Sequence, residues 1–361
     1  MADSAIEWTD KVWNVVRGCS RVSAGCGGPG NAGGCYAERQ AYRFSGPGQP
    51  YEGLVRMTPS GPRWTGKVAL IPEKLEEPLR WRKPQKIFVN SMSDLFHEGV
   101  SDVEIDRVFV TMWYARQHTF QVLTKRPRRM LAWSRGMLNS DRWDAARLPL
   151  YQAFREQSRA AKGAHRIGLA LNRAERVGVM GAWPEWPLPN VWLGVSVEDQ
   201  ATADERIPFL LETPAAKHFV SYEPALGPVD FKKWHGICEN SNCPHTIYDC
   251  RNGPDVSLLD LVIVGGESGP GARPCDVAWI RSAVRQCREA QVACFVKQLG
   301  ARPILDVREE DVFSELCAAK HRRWHDPGGA EPRRQVLALK DRKGGDPSEW
   351  PEDLRVREFP A

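Results

Sequence analysis

Cys19, Cys26 and Cys35 sit in one glycine-rich stretch, WNVVRGCSRVSAGCGGPGNAGGCYAER, directly after a short apolar run. Three thiols on one flexible loop can grip a metal and leave a coordination position open. A four-iron, four-sulfur cluster held this way keeps one iron for a substrate or cofactor. A zinc ion with three thiolates and one water would use the same gap differently. Spacing does not choose between iron–sulfur and zinc, so both remain open at this point. The glycines let the backbone fold around a metal.

A second group, His235, Cys238, Cys243, His245 and Cys250, holds enough donors for a structural zinc knot, or is a surface insertion with spare thiols. Cys275, Cys287, Cys294 and Cys317 read as ordinary core cysteines. The segment GGESGPGARP, with Gly265, Gly266 and Glu267, follows an apolar run and precedes a helix. Its glycines suit close backbone approach to a ligand, and Glu267 suits an amine or a ribose hydroxyl. Glu198 and Glu223 could form an acid/base pair, hold a cationic substrate, or pair with Lys125 and Lys297. Ser91 and Asp94 could contact a ligand or cap the next helix. Lys125 and Arg126 suit a phosphate or carboxylate.

These residues share a position in a repeating unit: an apolar, β-rich run, a polar cluster, then a helix. The runs are Val12–Val16, Lys86–Asn90, Thr119–Leu123, Asn190–Val195, His218–Val220, Leu259–Val264 and Val292–Val296. The polar ends include Ser91 and Asp94, Lys125 and Arg126, Ser196 and Glu198, Glu223, Gly265 to Glu267, and Lys297. Helices are predicted over Val103–Arg116, with Ser101 as N-cap, and over Asp276–Ala290. Alternating strands and helices imply an α/β fold with a parallel sheet, and apolar strands imply burial on both faces. Seven such units predict a TIM-like (β/α) barrel, complete or partial, whose chemistry gathers on loops at the strand C-termini. The barrel is expected over 1–320, with insertions at about 39–67 (a long loop or lid), 141–189 and 234–254. The tail, 321–361, is expected to pack on the barrel, with a last strand near Val336–Leu339.

The 361 residues carry a formal charge of +5, which tolerates a nucleic-acid partner without requiring one. Basic runs occur at Arg80, Arg82, Lys83 and Lys86, at Lys125, Arg126, Arg128 and Arg129, and at Lys320, Arg322 and Arg323; each one alone reads as a solvated surface. Most of the fourteen tryptophans are expected in cores or at barrel ends. No apolar run is long enough to cross a bilayer, and the N-terminus, MADSAIEWTDKVW, is no secretory signal. The expectation is a cytoplasmic protein with no membrane contact, in which clustered thiols serve as metal ligands rather than disulfides.

The strings WTDKVWNVVRGCSRVSAGC, NSMSDLFHE, HTFQVLTKRP, NVWLGVSVED, RIPFLLETPA, FVSYEPALGPVD, VIVGGESGPGARP, FVKQLG and KGGDPSEWPEDLRVREFP run through almost the whole chain. Together they resemble the phage-associated three-cysteine-motif proteins, a family of unknown function that is similar to the radical S-adenosylmethionine enzymes. The resemblance implies a β/α barrel with a cluster on the first loop, at Cys19, Cys26 and Cys35. It also implies that Ser91 to Asp94, Thr124 to Arg126, Ser196 to Glu198, Glu223 and Gly265 to Glu267 are the family's strand-end motifs. The expected cofactors are a [4Fe-4S] cluster and S-adenosyl-L-methionine. Ser91, Asp94, Glu223 and Glu267 would hold the cofactor; Lys125, Arg126, Ser196, Glu198 and Lys297 would hold a substrate, with nucleic acid as one candidate class. The rival readings are a zinc-binding nucleic-acid protein without radical chemistry, and a non-enzymatic component of a complex with a co-encoded partner protein.

Overall fold

The computed structural model describes residues 4, 6–28, 34–137, 140–160, 165–176, 186–234, 259–307 and 333–360. All seven predicted strands form: β1 (Lys11–Trp13), β2 (Lys86–Val89), β3 (Thr119–Thr124), β4 (Val191–Val197), β5 (Lys217–Tyr222), β6 (Leu261–Gly265) and β7 (Ala293–Gln298). They make one seven-stranded sheet in which every strand neighbours its predecessor in sequence. The fold is α/β with the strand order of a partial (β/α) barrel. β1 pairs in parallel with β2 (Trp13 opposite Val89), β2 with β3 (Val89 opposite Val122), and β3 with β4 (Thr124 opposite Val195). β6 and β7 are parallel as well, with a one-residue slip between Val264 and Gly265. The strands form where the sequence runs apolar because both faces are covered; all five residues of β6 are buried.

Two compact units divide the chain. The first comprises Met1–Val22, Tyr36–Ser196 and Glu205–Phe219. Its helices include α1 (Tyr36–Tyr42), α2 (Asp102–Tyr114), α3 (Pro127–Gly136), α4 (Ser140–Ala160) and α5 (His165–Arg176). α2 starts at a full capping box. The Ser101 hydroxyl accepts the Glu104 N–H, and the Glu104 carboxylate accepts the Ser101 N–H, which satisfies two of the helix's unpaired donors. Buried Asp106 on α2 accepts the Trp133 indole N–H at 2.7 Å and the Arg142 guanidinium at 2.7 and 2.8 Å. That carboxylate fastens α3 and α4 to α2. Phe96, Phe109 and Trp186 pack around the Trp133 ring. The stretch 39–67, expected as a loop or lid, carries the end of α1 and an antiparallel hairpin, Val55–Thr58 with Gly61–Trp64.

The second unit comprises Ser23–Cys35, Val197–Asp204 and Val220–Ala361. Its helix α6 (Val277–Glu289) begins where the Asp276 carboxylate accepts the Ala278 N–H. The tail lies along β7: Val296 N–H donates to Val356, Glu358 N–H donates to Cys294, and Phe295 bridges Arg357 antiparallel. This covers an edge that would otherwise expose unpaired backbone groups. The strand expected near Val336–Leu339 forms at Arg333–Val336, antiparallel to Pro303–Val307 in a separate three-stranded sheet. No helix among the described residues is long and apolar enough to cross a membrane.

Candidate functional site

In the first unit the end of β2 governs the approach to Cys19. Asn90 adopts φ 61°, a left-handed conformation that asparagine tolerates better than most residues. Its amide oxygen accepts the Val16 N–H at 3.0 Å, while its buried Nδ2 has no hydrogen-bond partner among the described residues. The Ser93 hydroxyl donates to the Val16 carbonyl at 2.8 Å, and Gly18 bridges Ser93. Gly18 has φ 84°, and a Cβ there would lie 2.1 Å from the Lys67 carbonyl oxygen, so only glycine lets the chain turn into Cys19.

Asp94 is buried and accepts four hydrogen bonds: Thr124 Oγ1 at 2.8 Å, Phe96 N–H at 3.0 Å, Lys125 N–H at 3.1 Å and Arg126 Nη1 at 3.1 Å. Arg126 also donates to Glu98 at 2.9 Å and to Ser20 Oγ at 2.7 Å. Burial opposes the Arg126 charge, but the negative groups at Asp94, Cys19 and Glu98 outweigh it and raise the pKa. His97 Nδ1 accepts the Gly99 N–H, so the ring's proton lies on Nε2 and is shared with Ser20 Oγ at 3.0 Å. Burial first, and then Arg126, push the His97 pKa down and favour this neutral ring. Ser20, next to Cys19, is therefore held by a cation and an imidazole. Lys125 Nζ donates to Ser196 Oγ at 2.7 Å. Tyr36 OH reaches the Ser91 carbonyl at 3.1 Å. Asp94, Lys125 and Arg126, expected at a cofactor or substrate, thus have protein partners.

In the second unit, strand-end carboxylates hold the loop that carries Cys26 and Cys35. The Ser23 hydroxyl donates to the fully buried Glu198 at 2.8 Å, and a Cβ at Gly25 would fall 2.1 Å from the same carboxylate oxygen. Gly34 N–H donates to Glu267 at 3.3 Å, one residue before Cys35. Arg273 clamps Glu267 through both guanidinium and backbone N–H groups, at 2.8 to 2.9 Å. Burial alone would raise the Glu267 pKa; the hydrogen bonds and charge of Arg273 overturn that and lower it. The close approach expected of Gly265 and Gly266 serves the neighbouring strand end: a Cβ at Gly266 would stand 2.3 Å from the Leu299 carbonyl oxygen. Lys297 pairs with Glu223 at 3.1 Å, as one of the readings for Glu223 had it.

The six described cysteines fall into two classes. Cys19, Cys26 and Cys35 are half-buried, whereas Cys275, Cys287 and Cys294 are buried. Burial lifts Cys275 to about 12, and the contact with Cys294, aided by burial, lifts Cys287 well above the ordinary thiol value. Thiolates bind metals, and burial in apolar surroundings disfavours them. The donor chemistry for soft metals therefore lies with the three loop cysteines, and the unpartnered Asn90 Nδ2 is a donor suited to an acceptor group of a ligand. Among the described residues, no three Cys, His, Asp or Glu side chains are gathered closely enough to hold a metal ion. The group His235, Cys238, Cys243, His245 and Cys250 lies outside the described residues, as do Cys317 and the basic run at Lys320.

Sequence reasoning passed over Ser20, Glu38, Asn90, His97 and Glu98. Glu38 is buried on α1 and accepts Arg21 at 2.7 Å and the Trp64 N–H at 3.1 Å. A polar residue ending an apolar strand run was the available signal for Asn90. None existed for Glu38, which reads as any surface glutamate. The basic run at Lys125 is spent within the protein: Arg128 stacks on Phe209 and Arg129 bonds Asp102.

Residues 3–325 match the model of a family described as a protein of unknown function (DUF5131). No curated protein and no solved structure matches the chain.

Proposed function

The chain belongs to the DUF5131 family, whose function is unknown, and from its three loop cysteines together with its resemblance to the three-cysteine-motif proteins we propose an iron–sulfur enzyme of radical S-adenosylmethionine type. Cys19, Cys26 and Cys35 would hold the cluster. The chemistry it supplies when bound is one-electron reductive cleavage of the S-adenosylmethionine sulfonium. The observation that carries this reading is the division of thiols: the loop cysteines stay half-buried while three others are sealed in the core.

The remaining roles belong to protein groups. Asn90 Nδ2 would donate to the cofactor's carboxylate beside Ser91, whose hydroxyl donates to Asn14 Oδ1 at 3.3 Å. Asp94 sets Thr124, Lys125 and Arg126 in place, and Arg126 and His97 fix Ser20 beside the first thiol. Glu198 and Glu267 hold the backbone next to Cys26 and Cys35. Glu223 with Lys297, and Lys125 with Ser196, would orient a polar substrate.

The test is anaerobic reconstitution with iron and sulfide, followed by reduction with S-adenosylmethionine. The expected result is about four iron and four sulfide per chain, lost in the Cys19→Ala, Cys26→Ala, Cys35→Ala variant, with 5′-deoxyadenosine formed on reduction. Wild-type protein that binds zinc and takes up no iron would sink this reading in favour of a zinc protein.

A further inference from the structure

Five of the nine large apolar side chains exposed among the described residues fall within residues 22–57: Val22, Tyr36, Tyr42, Phe44 and Met57. Tyr36 and Tyr42 lie on α1, Phe44 follows two residues after its end, and Met57 lies on the hairpin. The buried side of α1 is Ala37, Glu38 and Ala41. Helical spacing puts Tyr36, Arg39, Gln40 and Arg43 on the opposite side, at i, i+3, i+4 and i+7. Tyr42 and Phe44 flank that side at 39% and 52% exposure. Monomeric surfaces seldom leave so many rings together without a use.

The charge around the rings is one-sided. Residues 36–67 contain five cations (Arg39, Arg43, Arg56, Arg63, Lys67) and two carboxylates (Glu38, Glu52). Glu38 is buried and taken by Arg21 and Arg63. Glu52 accepts the Gly48 N–H. Among the described residues no carboxylate pairs with Arg39, Arg43 or Arg56; the side-chain partner of Arg43 is the neutral Gln40. Arg126, Arg129 and Arg142 in the same unit are, by contrast, each paired with a carboxylate. Exposed rings interleaved with guanidinium groups that no carboxylate among the described residues neutralises match one ligand chemistry: unstacked bases joined by phosphates. A stacked duplex hides the base faces that these rings would cover.

We infer that the exposed face of α1, with Phe44 and the adjoining hairpin, binds single-stranded nucleic acid. Tyr36, Tyr42 and Phe44 offer platforms for bases, and Arg39, Arg43 and Arg56 contact phosphates. The inference goes beyond the cluster reading and does not rest on it, because binding is measured with no metal added and no reaction run.

The experiment is fluorescence anisotropy with labelled (dT)12 across a salt series. Three phosphate contacts predict that log K falls with log salt at a slope of about −2. The Arg39→Gln, Arg43→Gln, Arg56→Gln variant should flatten that slope and weaken binding. The Tyr42→Ala, Phe44→Ala variant should keep the slope and weaken binding roughly 5- to 150-fold per base no longer stacked. All five positions lie outside the core, and matched thermal melts confirm folding. A duplex of the same length should bind more weakly than (dT)12. The inference is overturned if wild-type protein fails to bind (dT)12 at about 50 mM salt, where such contacts are strong. It is equally overturned if both variants bind like wild type. Equal binding of polyglutamate, insensitive to Tyr42→Ala and Phe44→Ala, would reassign the face to an acidic protein partner.

Discussion

Replacing Asp94 by alanine should be among the costliest single changes in the first unit. The carboxylate is buried and accepts from one hydroxyl, two backbone N–H groups and one guanidinium, all within 2.8 to 3.1 Å. Removal leaves Arg126 with the exposed Glu98 and with Ser20, and leaves two backbone donors without an acceptor. Breaking a buried ion pair from one side costs about 3–5 kcal/mol, and each stranded donor costs about 1–3 kcal/mol, partly shared with that figure. We expect about 4 kcal/mol. Arg126→Ala should cost less, about 2–3 kcal/mol, because Asp94 keeps three of its four donors. The double variant should cost less than the sum by about 1–3 kcal/mol. Urea unfolding followed by tryptophan fluorescence reads this directly. With a slope of about 3 kcal/mol/M, Asp94→Ala should lower the midpoint by roughly 1.3 M. A loss under about 1 kcal/mol, or additivity within about 0.5 kcal/mol, would refute the claim that this pair organises the strand ends.

Three other outcomes follow from the same geometry. Gly18→Ala forces a side chain into φ 84° against the Lys67 carbonyl and should cost about 1–3 kcal/mol from strain alone; circular-dichroism melts measure it. Ser101→Ala removes the reciprocal cap of α2 and should cost about 1 kcal/mol by urea titration, with Ser101→Gly costing only a few tenths. Glu267 has a lowered pKa when folded, so its stabilisation is complete above the ordinary value of 4.5 and is lost as pH falls through the folded value. The wild-type advantage in melting temperature over Glu267→Gln should therefore hold at pH 7 and shrink steadily below pH 4.5.

The alternation of strands and helices was legible in the sequence because burial on both faces forces local apolar runs, and caps such as Ser101 and Asp276 are read within four residues. All seven strands, their order along the chain and the positions of the strand-end polar residues could be taken from that pattern. The sequence also separated the loop cysteines from Cys275, Cys287 and Cys294 by their surroundings. What it could not decide was partnership. Asp94 with Arg126, Glu198 with Ser23, Gly34 with Glu267 and Lys297 with Glu223 join residues 32 to 233 positions apart. A charge's partner depends on which strand ends the sheet brings side by side, and no local pattern encodes that distance. The same holds for α1: its wheel shows one apolar side, but only the packed structure reveals that Glu38 is neutralised inside while Arg39 and Arg43 meet no acid among the described residues. Local sequence fixes secondary structure through burial and backbone geometry, whereas tertiary contacts decide which polar groups are already satisfied and which remain for a ligand.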